Sequence, residues 1–215
     1  LFFGAIAAGC VPLPSSAQLT EEEADFLLAD SGARMLAMTE ELAIRSPPGV
    51  RVLDPADVAA LRARYEPLDY ADTAADAPAF LIYTSGTTGQ PKGVLHAQRS
   101  AWGRRLMYQG WYGIRPDDVI LHAGAFNWTY TLGVGLTDPW ANGATAVLYN
   151  GPRDVTVWPL LMAKFRATLF AAVPGLYRQI LKYNDLNAFD LSSLRHGLTA
   201  GEALSTALLE QWRAT

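Results

Sequence analysis

Apolar residues recur along the chain with two different periods, one typical of strands and the other of amphipathic helices. Short apolar runs predict strands at 34–38, 79–84, 119–123, 145–149, 168–173 and 195–199. Helical spacing predicts helices at 56–64, 99–110, 130–141, 155–166, 176–183 and 204–212. Because strands and helices alternate at this spacing, we predict an α/β fold of mostly parallel sheets covered by helices.

Two helix starts carry capping signals. Thr20 and Glu23 lie three residues apart within a helix start that leads into an apolar stretch, which is the pattern of a capping box, and Gly32 is placed to end that helix. Residues 54–57 read Asp-Pro-Ala-Asp and predict a second helix start, with a proline in its first turn.

The segment 69–78 is rich in Ala, Asp and Pro and is expected to form an exposed connector. It divides the chain into a first α/β segment, 1–77, and a second segment, 78–215. A chain of 215 residues is long enough for one domain or a pair of subdomains.

Charge and cysteine content limit the classes of function. The chain has 17 Lys and Arg residues against 21 Asp and Glu, a net charge of −4, which argues against a broad nucleic-acid footprint. Its single cysteine, Cys10, excludes an internal disulfide and favours a cytoplasmic protein. The apolar residues 1–14 are fewer than the ~20 that a membrane span needs, and prolines interrupt them, so no membrane span is predicted.

The residues with the most distinctive chemistry lie at 83–94, which reads YTSGTTGQPKGV directly after a predicted strand. Hydroxyl groups, glycines and Lys92 are concentrated there, a combination that stabilises a polyphosphate through N–H groups, hydroxyls and positive charge. The spacing is not the Walker pattern, because Pro91 stands at the position of the second glycine and Gly93 at that of Ser or Thr. A Walker ATPase is therefore disfavoured.

Open parallel sheets bind ligands beyond the carboxyl ends of their strands. Four loops follow predicted strands: the glycine-rich loop, residues 126–130, the pair Pro174 and Gly175, and residues 200–203. We expect these loops to lie on one edge of the sheet and to form a single site.

Residues 84–93, TSGTTGQPKG, match the (S/T)SGTTGxPKG phosphate-loop signature, and the chain resembles the adenylate-forming superfamily. That superfamily comprises acyl- and aryl-CoA ligases, adenylation domains of peptide synthetases and firefly-type luciferases. Residues 200–204, AGEAL, resemble the segment that lies against adenine in its CoA ligases. Residues 126–130, FNWTY, stand at the place of its acid pocket, and 170–177, FAAVPGLY, resemble its VPTLY segment with Gly175 replacing the common threonine.

The resemblance implies that an acid and ATP give an acyl-adenylate and pyrophosphate, and that coenzyme A then takes the acyl group. It implies a catalytic role for Lys92 and nucleotide binding by Thr84, Ser85, Gly86, Thr87, Thr88, Gly89, Lys92, Gly201, Glu202 and Ala203. The acid pocket is expected to be lined by Asn127, Trp128, Tyr130, Pro174 and Gly175. ATP, Mg²⁺ and coenzyme A are the implied cofactors and co-substrates, and the implied partner is a small carboxylic acid, aromatic or medium-chain. A homodimer is left open.

Segments that the family carries beyond AGEAL, among them a magnesium-binding glutamate and a C-terminal lysine, do not occur in these 215 residues. We therefore expect the chain to be part of a two-subdomain N-terminal adenylation domain that cannot catalyse adenylation alone. Two alternatives stay open: an adenylation domain that loads a carrier protein, and a non-catalytic nucleotide-binding module.

Other motifs are weaker. His96, His122 and His196 fall on different predicted strands or strand ends, so no metal site is predicted, and each is expected to be a surface or hydrogen-bonded core histidine. Gly133 and Gly135 lack the third glycine of a dinucleotide fingerprint and lie inside a predicted helix.

Overall fold

The computed structural model of the protein describes residues 1–39, 48–84, 91–152 and 154–215. The chain divides into two compact units, Leu1–Gln98 and Arg99–Thr215. The break between these units follows Gln98, and the division into 1–77 and 78–215 stays a prediction. Within the described ranges, no helix has both the length and the apolar character to cross a membrane.

The described residues of the first unit form short helices and two small sheets. Its helices are α1 (Phe2–Ala7), α2 (Glu21–Ser31) and α3 (Pro55–Arg64). Its strands are β1 (Met35–Ala37), β2 (Arg51–Leu53), β3 (Pro78–Thr84) and β4 (Lys92–Ala97). The strands β1 and β2 pair in parallel, whereas β3 and β4 pair antiparallel.

Both predicted capping signals are confirmed at the starts of α2 and α3. The Glu23 N–H donates to Oγ1 of Thr20, and the Glu23 carboxylate accepts a hydrogen bond from the Thr20 N–H at 2.9 Å. Asp54 and Asp57 make the same reciprocal pair at the first turn of α3. Gly32 ends α2 with φ +64°, the left-handed conformation that favours glycine at this position.

The strand that leads into the glycine-rich loop belongs to a two-stranded antiparallel sheet. Thr84 at the end of β3 pairs with Lys92 at the start of β4, so the chain reverses direction between them. The expectation that this loop shares a parallel-sheet edge with the other three loops is therefore wrong. The sequence does not predict β4, because its exposed apolar residues Val94 and Leu95 are adjacent and break the two-residue alternation of a strand.

The second unit contains a four-stranded parallel sheet in the order β6-β5-β7-β8. These strands are β5 (Val119–His122), β6 (Thr145–Val147), β7 (Leu169–Ala172) and β8 (His196–Thr199). The α-helices are α4 (Ser100–Gly103), α5 (Leu106–Gly110), α6 (Thr129–Leu132), α7 (Asp138–Ala141), α8 (Val157–Lys164), α9 (Pro174–Tyr183) and α10 (Thr206–Arg213). A π-helical turn occupies Gly133–Thr137, and a 3₁₀ turn occupies Leu186–Ala188.

The central strand β7 explains why helices cover both faces of this sheet. Phe170 and Ala172 pack into a buried cluster with residues of α8, α9 and α10. Leu169 and Ala171 pack into a second cluster with residues of α6 and the π-helical turn. All four residues are fully buried, so the strand is a continuous apolar run, as central parallel strands are. The predicted α/β class with a helix-covered parallel sheet is confirmed.

The helix predicted at 130–141 is interrupted by the π-helical turn. Gly133 and Gly135 of this turn pack closely against side chains from other elements. A Cβ on Gly133 would lie 2.1 Å from Nη2 of Arg104, and one on Gly135 would lie 2.7 Å from the Cβ of His122. Arg104 lies in the break between α4 and α5, and its guanidinium pairs with Asp138 (Nε to Oδ1 2.7 Å, Nη2 to Oδ2 2.5 Å). Contacts within the fold thus account for the Gly-Val-Gly pattern.

Candidate functional site

One set of predicted site residues belongs to the first unit, where the glycine-rich loop connects β3 to β4. Thr84 at the end of β3 and Lys92 at the start of β4 are paired in register, and Lys92 is exposed. The other predicted phosphate-binding residues of this loop lie outside the described residues: Ser85, Gly86, Thr87, Thr88 and Gly89. The hairpin therefore places one hydroxyl and one lysine at the ends of the glycine-rich loop.

Tyr83 links the end of β3 to α2 next to the glycine-rich loop. Its hydroxyl donates a hydrogen bond to Oδ2 of Asp30 in α2 at 2.5 Å. Desolvation of the hydroxyl and this bond to a carboxylate raise the pKa of Tyr83 to about 12, so Tyr83 stays a neutral donor at physiological pH. Gly93 in β4 packs closely here, since a Cβ on it would lie 3.3 Å from Cζ of Tyr83.

Another set of predicted site residues belongs to the second unit and lies at the carboxyl ends of β5, β7 and β8. Because these strands are parallel neighbours, the loops that follow them leave the sheet at the same edge. Gly201, after β8, has φ +99°, and a Cβ on it would lie 3.0 Å from Cη2 of Trp128 and 3.7 Å from Cγ1 of Val173. The loop after β8 therefore approaches both other loops, and the expected convergence holds for these three.

A hydrogen bond joins the loop after β7 to the loop after β8. The Gly175 N–H, in the first turn of α9, donates to Oε1 of Glu202 at 3.0 Å. Pro174 beside it is buried, whereas Ala203 is exposed. Gly175 was predicted to line the acid pocket and Glu202 to contact the nucleotide, whereas their direct contact was not predicted.

Trp128 and Tyr130 form an aromatic surface beside these loops. Their ring centroids are 5.5 Å apart in an edge-to-face arrangement. Asn127 is half-buried and Tyr130 is buried, and burial raises the pKa of the Tyr130 hydroxyl. Flat rings with few polar groups favour contact with an aromatic or alicyclic group.

His122, at the carboxyl end of β5, also lies beside this aromatic surface. This position was not predicted from the sequence. Its ring centroid lies 4.6 Å from that of Tyr130. The residue is 6% exposed, burial lowers its pKa to about 3, and neither ring nitrogen has a hydrogen-bond partner in the described part of the chain. The expectation of a surface or hydrogen-bonded histidine is wrong for His122, whose neutral ring packs closely against Gly124 while its Cβ packs against Gly135.

Similarity to a known protein family runs along the whole chain. A model described as AMP-binding enzyme matches residues 1–215. The chain belongs to the AMP-binding enzyme family. The predicted membership of the adenylate-forming enzymes is thereby confirmed.

Among curated proteins, this chain is similar to aryl-CoA ligases. It is 33% identical over 228 residues to a benzoate–CoA ligase of Thauera aromatica, an alignment that covers 99% of the chain and 43% of the relative. It is 34% identical over 236 residues to a 4-hydroxybenzoate–CoA/benzoate–CoA ligase of Rhodopseudomonas palustris, covering 99% of the chain and 42% of the relative. The chain therefore spans less than half the length of these relatives.

A solved structure shares the fold of this chain. The crystal structure of the anthranilate CoA ligase AuaEII in complex with anthranoyl-AMP matches it with a TM-score of 0.89 and 26% identity. The match covers 99% of this chain and 44% of the ligase chain. The family of the relatives and the fold of the solved structure thus agree.

Proposed function

We propose that this chain is part of a CoA ligase that uses ATP to activate a small carboxylic acid, aromatic or medium-chain, and passes the acyl group to coenzyme A. The observation that carries the proposal is the contact of Gly201 with Trp128. Gly201 has no side chain, so its backbone is suited to lie along a nucleotide base. The contact places this backbone next to Trp128, whose ring is suited to an aromatic or apolar acyl group. Similarity to benzoate–CoA ligases along 99% of the chain supports the same class of acid.

The proposed reaction has two steps. A carboxylate oxygen of the acid attacks the α-phosphorus of ATP, and pyrophosphate leaves with the electron pair of the broken P–O bond. The sulfur of coenzyme A then attacks the acyl carbon, loses its proton, and AMP leaves. The first step brings negative charges together, and two unit charges 4 Å apart repel by about 4 kcal/mol at an effective dielectric near 20.

Lys92 is the residue that we propose to lower this barrier. It is exposed and stands opposite Thr84 at the mouth of the glycine-rich loop, so its ammonium is available to an anion held by that loop. Positive charge placed where negative charge develops stabilises the transition state. Thr84, Ser85, Gly86, Thr87, Thr88 and Gly89 are proposed to hold the phosphates.

The loops of the second unit are proposed to take part in binding the nucleotide base and the acid. Gly201, Glu202 and Ala203 are assigned to the adenine base. The acid is assigned to the surface of Trp128 and Tyr130, with Asn127, Pro174 and Gly175 as further lining. These assignments agree with the contacts of Gly201 and Glu202 with the neighbouring loops.

Magnesium is proposed to arrive bound to the phosphates of ATP. Within the described ranges no three His, Cys, Asp or Glu side chains are grouped so that they could hold a metal ion. We therefore assign no residue of this chain to the ion and no step to it.

Acid-dependent exchange of labelled pyrophosphate into ATP by the full-length protein tests the proposal. A panel of benzoates, alicyclic acids and fatty acids is expected to give exchange with aromatic or medium-chain acids, and coenzyme A is expected to yield the thioester. Nucleotide binding without exchange for any acid would favour a non-catalytic module. Exchange followed by transfer to a carrier protein, and not to coenzyme A, would favour the carrier-loading alternative.

The 215 residues by themselves are proposed not to form an acyl-adenylate, since they span less than half the length of the ligases that they resemble. Detection of the adenylate by mass spectrometry with the isolated 215-residue chain would contradict this.

A further inference from the structure

The first turn of α9 is capped by a residue from outside the helix. Its N-cap residue, Val173, has no side-chain capping bond, and Pro174 has no N–H, so the Gly175 N–H is the first donor that the helix offers. This N–H donates to Oε1 of Glu202 at 3.0 Å, across 27 residues of sequence. Glu202 thus caps a helix to which it does not belong.

Electrostatics favours this arrangement. A carboxylate near a helix N-terminus interacts favourably with the free N–H groups and with the helix dipole. Because Glu202 is exposed, the bond adds little to the free energy of unfolding of the whole protein. Its effect is local and falls on the loop that carries Glu202.

That loop also carries Gly201, which lies against Trp128. The last paired residues of β7 and β8 are Ala172 and Thr199, so both loops leave the sheet side by side. The bond between Glu202 and Gly175 joins the loops again beyond the end of the sheet. Gly201, at φ +99°, lies between the strand end and this bond, and its backbone is therefore held at both sides.

We propose that Glu202 is a positioning residue that holds the Gly201 backbone in place for the nucleotide base. The inference rests on the proposed function, because it concerns the loop that we assign to adenine. Glu202 acts through Gly201 and Gly175 and does not contact the reacting atoms. Because Glu202 is exposed, solvent screens the interaction of its charge with the helix dipole, and the acceptor oxygen at the Gly175 N–H is the larger contribution. Glutamine, which keeps an acceptor oxygen, is therefore expected to replace glutamate.

The test uses the full-length protein with the variants Glu202→Ala and Glu202→Gln. Loss of one such hydrogen bond is expected to raise the KM for ATP, and the Kd for ATP measured by calorimetry, by about five- to tenfold in Glu202→Ala. The kcat and the KM for the acid are expected to stay within about twofold of the original values, because the reacting groups are untouched. Glu202→Gln is expected to restore ATP affinity to within about twofold.

A matched control accompanies these variants. Glu210→Ala removes another exposed glutamate from the same unit, on α10, and is expected to leave ATP affinity unchanged.

The outcomes separate this inference from the proposed function. Unchanged ATP affinity in Glu202→Ala would overturn the positioning role, and so would a Glu202→Gln variant as weak as Glu202→Ala. If the original protein binds ATP but shows no exchange with any acid, the proposed ligase activity fails, and calorimetry still decides the role of Glu202. A protein that does not bind ATP at all would overturn both.

Discussion

Asp118 and Arg195 form an ion pair across the amino ends of the parallel sheet. Nε of Arg195 lies 3.0 Å from Oδ1 of Asp118, and Nη2 of Arg195 contacts Oδ2. Asp118 precedes β5 and Arg195 precedes β8, while Thr168, which precedes β7 between them, donates from Oγ1 to Oδ1 of Asp118 at 2.7 Å. These contacts join three strands at the edge opposite the candidate site, so the loops at the site begin from fixed strand ends.

Replacing Asp118 with alanine is expected to lower the free energy of unfolding by about 2–4 kcal/mol, because it removes the buried carboxylate that accepts hydrogen bonds from Arg195, the Thr168 hydroxyl and the Arg115 N–H. Denaturant titration of the protein followed by circular dichroism measures this loss. Asp117→Ala removes the neighbouring exposed aspartate and is expected to change the unfolding free energy by less than about 0.5 kcal/mol. Equal losses in the two variants would show that the ion pair is not the cause.

His122 is expected to make the protein less stable as the pH falls from about 6.5. Burial lowers its pKa in the folded state to about 3, whereas the unfolded chain binds a proton with an ordinary pKa of about 6.5. Protons therefore favour the unfolded state, and at pH 5 the difference amounts to about 2 kcal/mol. Stability is fully retained above pH 6.5 and is lost progressively between pH 6.5 and about 3.

Unfolding free energies measured between pH 7 and pH 5 for the original protein and His122→Gln check this expectation. The glutamine variant is expected to lose this part of the pH dependence. His196→Gln serves as the control, because His196 lies on β8 and is not fully buried. If His122→Gln keeps the full slope, another group is responsible.

Local sequence patterns predicted the parts of the fold that depend on neighbouring residues. The reciprocal bonds of Thr20 with Glu23 need only three residues of spacing, and the structure has them. Contacts between distant residues are different in kind. Arg104 and Asp138 lie 34 residues apart, and nothing in the sequence near either residue predicts that the two form an ion pair. The need for a glycine at 133, where the Arg104 side chain packs, is equally absent from the local sequence.

The candidate site shows the same limit. The strands that end at the loops carrying Trp128, Gly175 and Gly201 were predictable from apolar runs, and the edge they share follows from parallel pairing. The antiparallel return of the chain through β4 was not predictable, because an exposed strand carries no alternating pattern. Side-chain pairs such as Glu202 with the Gly175 N–H also need the folded loops.

Gly133→Ala is expected to destabilise the protein by about 2–4 kcal/mol. The new Cβ would lie 2.1 Å from Nη2 of Arg104, and the guanidinium can move only by leaving Asp138, which is fully buried. Tyr112, whose hydroxyl also donates to Asp138, cannot neutralise that charge. Thermal unfolding measures the effect.

The control for this substitution is Gly103→Ala in α4, where a Cβ would meet no atom within 4 Å. It is expected to leave the melting temperature unchanged or slightly higher, because alanine favours helix more than glycine does. A Gly133→Ala protein as stable as Gly103→Ala would show that Arg104 adapts without losing its partner.

Lys92→Ala is expected to slow acid-dependent pyrophosphate exchange by the full-length protein about 100-fold or more, because the positive charge at the end of the glycine-rich loop is lost where negative charge develops. Lys92 is exposed and starts β4 opposite Thr84, so the substitution is expected to leave the melting temperature nearly unchanged.

Lys164→Ala, at the exposed end of α8, is the control and is expected to keep normal exchange. Lys92→Arg keeps the charge on a different shape, and exchange intermediate between the original protein and Lys92→Ala would assign the effect to charge together with geometry. Normal exchange by Lys92→Ala would remove Lys92 from the proposed mechanism while leaving the family and the fold as they stand.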